Sequence, residues 1–121
     1  QVPGYVFQVL ESSDEGLTWT STLETASGAS TYNGVYVVDL VGPFYVDGAP
    51  VMYRQGGNVG LRWDGSDWAA ITCSGIVSFE VAYPTASSGT VLNVMGNTSD
   101  GLRLHFTTDG ITFTQASGLV G

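Results

Sequence analysis

Residues 12–19, SSDEGLTW, have the spacing of a tight turn built from hydroxyls, a carboxylate, a glycine and an aromatic ring. An aspartate carboxylate can accept backbone N–H groups inside such a turn, and glycine supplies a backbone conformation that a side chain disfavours. The hydroxyls can bond across the hairpin ends, and the tryptophan can cover the turn and anchor the hairpin on its neighbour. The stretch predicts a β-hairpin whose turn is formed by Ser12, Asp14, Gly16, Thr18 and Trp19.

Two further stretches repeat this spacing. Thr107-x-Asp109-Gly110-x-Thr112-Phe113 is one residue shorter, and Arg62-x-Asp64-Gly65-x-Asp67-Trp68 is a degenerate copy. The aromatic residues that end the three copies are separated by roughly 45–50 residues, which fits a four-stranded unit repeated along the chain. We predict structural turns at both further places, formed by Asp64, Gly65, Trp68, Asp109, Gly110, Thr112 and Phe113.

The first copy resembles the Asp-box, S-x-D-x-G-x-T-W, which recurs in sialidases and other β-propellers and also occurs in some unrelated β proteins. The resemblance implies antiparallel hairpin repeats, in which the motif is a folding device that lies away from the catalytic pocket. A looser resemblance covers GLRWDGSDWAAI (60–71), which is similar to the strand–WDGS–W–strand hairpins of phage tail-fibre and other virion surface proteins. The acidic, lysine-poor composition, rich in Gly, Ser and Thr, is also typical of those proteins.

Short bursts of β-branched and aromatic residues fill the chain between clusters of Gly, Pro, Asn, Asp and Ser. No amphipathic helical period extends beyond one turn. This pattern predicts an all-β fold with about ten to twelve strands. The clearest strands are YVFQVL (5–10), VYVVDLV (35–41), VMYR (51–54), IVSFEV (76–81) and VLNVM (91–95), and Gly42–Pro43 is among the predicted separators.

Alternation is cleanest in LRLHF (102–106), which is followed by the Asp109–Gly110 turn and a second alternating run. Two such runs around a DG turn predict a hairpin. Leu102, Leu104 and Phe106 should point to one face, and Arg103 and His105 to the other. We therefore expect His105 on the polar face, solvated or hydrogen-bonded, and not as a metal ligand.

The repeats predict a single all-β domain (1–121) with a half unit and two whole units, at approximately 1–30, 31–75 and 76–121. A propeller needs roughly 4–8 blades to close, so these units would leave strand edges unpaired. Three arrangements remain open: a partial propeller completed by oligomerisation, a part of a longer polypeptide, or a β-sandwich. The sequence favours neither the propeller nor the sandwich.

Charge limits the partners that the chain can bind. It has no Lys, three Arg and 11 acidic residues, and its formal net charge is −8. This balance argues against nucleic acid and anionic membrane surfaces as partners, and no apolar run approaches the roughly 20 residues of a membrane span. The single Cys73 has no neighbouring base or cation, so we expect a buried apolar side chain without thiol reactivity.

Catalytic patterns are missing from the sequence. The arginine motif F/Y-R-I-P that sialidases carry early in the chain is absent, and no Glu lies convincingly with a Tyr. Neither Gly-x-Ser-x-Gly, nor a phosphate loop, nor the Asp spacing of a calcium loop is present. We expect no enzymatic activity, no cofactor and no metal site.

Aromatic residues make up 12% of the chain, and most should be core residues or turn anchors. Trp63 is the best exception, because Trp68 across the turn can fill the anchor role and leave one of the two rings exposed. Aromatic rings serve as stacking platforms for sugars, and arginine can bond sugar hydroxyls, so Trp63 and Arg62 are the candidate glycan-binding residues. Asn97-Thr98-Ser99 matches the N-glycosylation acceptor motif.

These features predict a non-catalytic structural or adhesion module that works outside a cell, as a self-assembling component of a virion or another surface assembly. Its partners would be copies of itself or other subunits of that assembly. The alternative is a lectin-like carbohydrate-binding module that forms an oligomeric propeller. A weaker alternative is a fragment of a sialidase-like glycoside hydrolase.

Overall fold

The computed structural model describes residues 6–80, 86–87 and 92–116, which form β-strands and no helix. The all-β prediction is therefore confirmed. Thirteen strands lie in the described part of the chain: β1 (Gln8–Glu11), β2 (Thr20–Glu24), β3 (Thr31–Tyr32), β4 (Val35–Tyr36), β5 (Leu40–Val46), β6 (Ala49–Arg54), β7 (Val59–Trp63), β8 (Trp68–Thr72), β9 (Ser78–Phe79), β10 (Ala86–Ser87), β11 (Leu92–Thr98), β12 (Gly101–Thr107) and β13 (Phe113–Gln115). The predicted strand ends at Tyr5, Val81 and Val91 lie outside the described residues.

The strands form four antiparallel sheets, each from consecutive parts of the chain. Strands β1–β2 and β3–β4 are two-stranded hairpins, and β5–β6–β7–β8 form a central four-stranded meander. The last sheet has the order β10–β11–β12–β13, with β9 also paired to β11. No sheet closes into a barrel within the described residues.

The central sheet is covered on both faces, because successive strand residues point to opposite sides. Val51 and Tyr53 belong to one core cluster, which they share with residues of the last sheet such as Phe79, Val94 and Phe113. Met52, Leu61 and Trp68 belong to a second cluster with Leu23 of β2 and Val35 of β4. Each such buried side chain contributes about 1.5–3 kcal/mol of hydrophobic stabilisation, so these two layers of side chains hold the sheets face to face.

Two short hairpins depend on left-handed backbone at their turns. Asn33–Gly34 joins β3 to β4 with φ values of 49° and 83°, and Asp47–Gly48 joins β5 to β6 with φ values of 52° and 77°. Positive φ at both central residues is the geometry of the type I′ turn, which matches the twist of paired strands.

The predicted strand 35–41 is wrong as a single element. Strand β4 ends at Tyr36, a turn closed by the Leu40 N–H to Val37 O hydrogen bond (3.2 Å) follows, and β5 begins at Leu40. Gly42–Pro43 is likewise not a separator, because β5 continues through it with a register shift between Val41 and Phe44. A Cβ on Gly42 would lie 2.9 Å from the Val51 carbonyl oxygen, so this shifted backbone requires glycine.

The face of β12 that carries His105, predicted to be the polar face, is the one that packs against the core. His105 is fully buried, and its Nδ1 lies 2.9 Å from the Arg103 carbonyl oxygen, while Leu102 is exposed. His105 pairs with Val94 of β11, whose side chain belongs to the core cluster, so the histidine is carried to the same face. Cys73 is buried in that cluster, as expected.

Candidate functional site

The first turn, residues 12–19, is held by the side chains that the spacing indicated. Ser12 Oγ donates to Asp14 Oδ1 (2.8 Å) and accepts the Gly16 N–H (2.8 Å). Thr18 donates its backbone N–H to Asp14 Oδ1 (2.8 Å) and its hydroxyl to Asp14 Oδ2. Gly16 has a φ of 88°, a conformation that L side chains rarely adopt. The carboxylate thus ties the two ends of the turn together.

The last turn, residues 107–113, repeats the same arrangement despite being one residue shorter. Thr107 Oγ1 donates to Asp109 Oδ1 (3.1 Å) and accepts the Gly110 N–H (2.9 Å). The backbone N–H of Thr112 donates to Asp109 Oδ1 (2.7 Å). Three hydrogen bonds therefore correspond between the two turns: hydroxyl to Asp, glycine N–H to hydroxyl, and threonine N–H to Asp.

The middle turn, residues 62–68, keeps only part of this network. Asp64 Oδ1 accepts the backbone N–H groups of Ser66 (2.9 Å) and Asp67 (2.8 Å), but Arg62 occupies the position of the first hydroxyl. Asp67 stands where the other turns have threonine, and its carboxylate accepts hydrogen bonds from Tyr32 Oη (2.6 Å) and Asn33 Nδ2 (3.3 Å). This turn is consequently tied to the β3–β4 hairpin.

Hydrogen bonding lowers the pKa of each turn carboxyl, because every donor favours the ionised form. The Thr18 hydroxyl and N–H are the main reason that the pKa of Asp14 is about 2, below its ordinary 3.8. The Thr112 N–H is the largest cause for Asp109, whose pKa is also about 2. The Ser66 N–H lowers the pKa of Asp64, and the Tyr32 hydroxyl lowers that of Asp67.

The aromatic residues of the three turns have different environments. Phe113 is 3% exposed and packs edge-on against Tyr53 and Phe79, with ring centroids 5.6 and 5.2 Å away. Trp68 is also buried, and its Nε1 donates to Thr22 Oγ1 of β2 (3.2 Å). Trp19 is 57% exposed, and its one side-chain hydrogen bond to a described residue joins Nε1 to the Gly16 carbonyl oxygen of its own turn (3.0 Å). The expectation that Trp19 anchors its hairpin on a neighbour is wrong, because this turn extends beyond the strand pairing that ends at Glu11 and Thr20.

A cleft of about 730 Å³ lies between the β1–β2 hairpin and one face of the central sheet. In the register of that sheet Tyr45 pairs with Pro50 and Trp63 with Trp68, and strand alternation places all four on the face that lines the cleft. Tyr45 is 61% exposed and Trp63 is half-buried. The lining residues are Val9, Leu10, Glu11, Thr22, Pro43, Tyr45, Asp47, Gly48, Ala49, Pro50, Arg62, Trp63, Asp64, Gly65 and Trp68.

The two candidate glycan-binding residues, Trp63 and Arg62, both line this cleft, but their side chains lie on different faces of the central sheet. Trp63 lies on the cleft face, with its ring 5.7 Å from that of Trp68. Arg62 follows the opposite strand phase, and its guanidinium donates to the carbonyl oxygens of Val46 and Asp47 (both 3.4 Å) in the β5–β6 turn. The Arg62 side chain is therefore directed to the β5–β6 turn and away from the face that carries Trp63. It is half-buried, and two of its interactions stabilise a turn.

The three arginines engage different partners. The Arg54 guanidinium lies 5.1 Å from the ring centroid of Tyr36, whereas Arg103 donates to the carbonyl oxygen of its neighbour Leu102 (2.9 Å). Among the described residues no group of three His, Cys, Asp or Glu side chains is placed to hold a metal ion. The same part of the chain has no helix with the length and apolarity of a membrane crossing. The motif residue Asn97 pairs with Leu102 in the β11–β12 hairpin.

Sequence reasoning missed most of the cleft. Tyr45, Asp47, Leu10 and Glu11 line it beside Trp63, although they lie far apart along the chain. The Asp47–Gly48 dipeptide is a hairpin signal that could have identified the β5–β6 pairing, and that pairing places Tyr45 near Trp63. Searches against protein-family models, curated proteins and solved structures find no match to this chain.

Proposed function

We propose that the chain is a non-catalytic structural and adhesion module of an extracellular assembly, such as the surface of a virion. The observation that carries the proposal is the use of the turn carboxylates. Asp14, Asp64 and Asp109 each bind backbone N–H groups of their own bend, at the tips of three different hairpins. Groups engaged in this way stabilise a scaffold, and the three carboxylates do not converge on a single pocket.

Exposed apolar side chains support self-association or association with other subunits. Leu17 is 84% exposed, and Val38 and Val77 are exposed as well. Within the described residues β5 and β8 each pair with one neighbouring strand only, so each leaves one side without strand pairing there. Unpaired edges and exposed apolar groups both favour contacts with further chains.

Sedimentation equilibrium over a range of concentrations tests the assembly. The expected result is a mass that is a multiple of 12.7 kDa, with a closed oligomer giving one defined multiple. A mass equal to one chain at every concentration, with no partner in its native setting, would contradict the proposal. A fluorogenic sialoside should remain intact, and its turnover would overturn the non-catalytic assignment.

A carbohydrate-binding module is the second candidate, favoured by the cleft that contains Tyr45 and Trp63. Its volume lies within the roughly 300–1,000 Å³ typical of small-ligand sites, and it combines aromatic walls with polar side chains at its margin. A glycan array probed with the wild-type protein tests this function directly. Binding of a defined set of glycans is the expected result, and the absence of any binding would leave only the structural role.

A further inference from the structure

We propose that the cleft binds a neutral saccharide against Tyr45 and Trp63 and discriminates against sialylated and other anionic glycans. This inference rests on the carbohydrate-binding function proposed above and adds the class of sugar. Three features carry it: an aromatic row on the central sheet formed by Tyr45, Trp63 and Trp68, three carboxylates at the margin of the cleft, and one arginine whose charge offsets only part of theirs.

The aromatic row is a supported surface. Trp68 lies beneath Trp63, with an interplanar angle of 62°, and is itself fixed by its hydrogen bond to Thr22. Trp63 also packs against the second core cluster, which limits its motion. Tyr45 is the most exposed ring of the row and lies on the neighbouring part of the same face. Rings that combine a large apolar area with a polar edge suit the mixed apolar and hydroxyl surface of a sugar.

Three carboxylates of the cleft have oxygens that accept no hydrogen bond from the described residues. Glu11 and Asp47 are exposed, and neither carboxylate has a hydrogen bond to another described residue. Asp64 receives its hydrogen bonds at Oδ1, so Oδ2 remains without a donor in the described chain. An ionised carboxylate only accepts hydrogen bonds, whereas sugar hydroxyls donate them.

The negative charge of the cleft favours the binding of neutral sugars over anionic ones. Arg62 is the one cation among the described residues that line the cleft, and its guanidinium is directed to the carbonyl oxygens of Val46 and Asp47. Three carboxylates against one engaged guanidinium leave the cleft acidic, in a chain whose net charge is −8. The carboxylate of a sialic acid would meet like charge there, which disfavours binding.

A cationic ligand would also match the charge, since ammonium groups bind over aromatic faces. Cages for such groups enclose the cation with several rings, but Trp68 is buried beneath Trp63 and offers no open wall. The arrangement of rings therefore favours a sugar over a quaternary ammonium group.

Paired glycans that differ only in a terminal sialic acid provide the test. Wild-type protein should bind the neutral member roughly tenfold or more tightly at low salt. Tyr45→Ala should abolish most binding, and Trp63→Ala should do the same if its thermal melt shows a folded chain. Trp19→Ala removes an exposed tryptophan outside the cleft and should bind as wild type does. Glu11→Gln and Asp47→Asn should narrow the difference between the paired glycans.

The outcomes separate this inference from the function on which it rests. Equal binding of both glycans, or tighter binding of the sialylated one, would overturn the charge inference and leave a carbohydrate-binding function in place. Unchanged binding by Tyr45→Ala would overturn the location of the site. No binding of any glycan would overturn both, as would exclusive binding of a trimethylammonium probe.

Discussion

The first and last turns have the same hydrogen bonds but opposite relations to the core. In both, a hydroxyl donates to the aspartate and accepts the glycine N–H, and the aspartate accepts a threonine N–H. Yet Trp19 is 57% exposed and Phe113 is 3% exposed. The comparison shows that local chemistry forms the bend, whereas burial of the ring depends on the sheet beside it.

The surroundings of the last turn explain the difference. Phe113 donates its backbone N–H to the Ser74 carbonyl oxygen (2.8 Å), and the Tyr53 hydroxyl donates to the Gly110 carbonyl oxygen (2.9 Å). Gly75 allows this approach, since a Cβ there would lie 1.8 Å from the Phe113 carbonyl oxygen. The last turn is thus fixed by the central sheet, while the first is held by its own residues.

Removing the aromatic rings of Phe113 and Trp19 should give the largest difference in stability between the last and first turns. Phe113→Ala should lower the free energy of unfolding by about 3–5 kcal/mol, because it leaves a cavity between two sheets. Trp19→Ala should cost about 1 kcal/mol or less, since it removes one exposed hydrogen bond and little burial. Urea unfolding of both variants measures the difference. Similar losses would show that the exposed ring has a neighbour after all.

Replacing the carboxylates of Asp14 and Asp109 should give a smaller difference in stability, again with the larger loss at the last turn. Asp14→Ala and Asp109→Ala should both lower the thermal midpoint, because each leaves backbone N–H groups of its bend without an acceptor. Asp109→Ala should lower it more, since its turn is packed on the core and water cannot easily replace the carboxylate. Thermal melts followed by circular dichroism give the order, and a larger effect at Asp14 would contradict it.

Acid should weaken both turns. The folded-state pKa of about 2 for Asp14 and Asp109 lies below their ordinary 3.8, so the unfolded chain binds more protons in this interval. The stabilisation is complete above about pH 4 and is lost as the pH falls through 2. The urea midpoint should therefore drop between pH 4 and 2, and the drop should be smaller in Asp14→Asn and Asp109→Asn. An identical drop in wild type and both variants would assign it to other groups.

The middle turn should show the smallest effect. Tyr32→Phe removes the hydroxyl that bonds Asp67, while the remaining donors of that carboxylate, Asn33 Nδ2 and the Trp68 N–H, stay in place. We expect a slight fall in the thermal midpoint and a rise in the pKa of Asp67, because its main stabilising donor is lost. Tyr36→Phe, on the adjacent strand, is the matched control and should leave that pKa unchanged.

The sequence was sufficient for the all-β class and indicated the three turns, because their bonds join residues only a few positions apart. It did not indicate which face of β12 is buried. Leu102 and His105 lie on opposite faces of this strand, and only the packing against β11 decides which of them faces the core. The cleft could not be predicted either, because Tyr45 and Trp63 are distant in the sequence and only the register of the central sheet places them on one face. Asn33–Gly34 and Asp47–Gly48 are dipeptides typical of tight hairpin turns, and they indicate the β3–β4 and β5–β6 pairings.

Carbon-detected NMR titration of the Asp14 and Asp109 carboxyl groups tests whether these carboxylates hold their local bends. We expect titration midpoints near pH 2 for both carboxyl groups, with the Thr18 and Thr112 amide resonances following the same midpoints. Ordinary midpoints near 3.8, with amide resonances that do not follow them, would contradict this expectation.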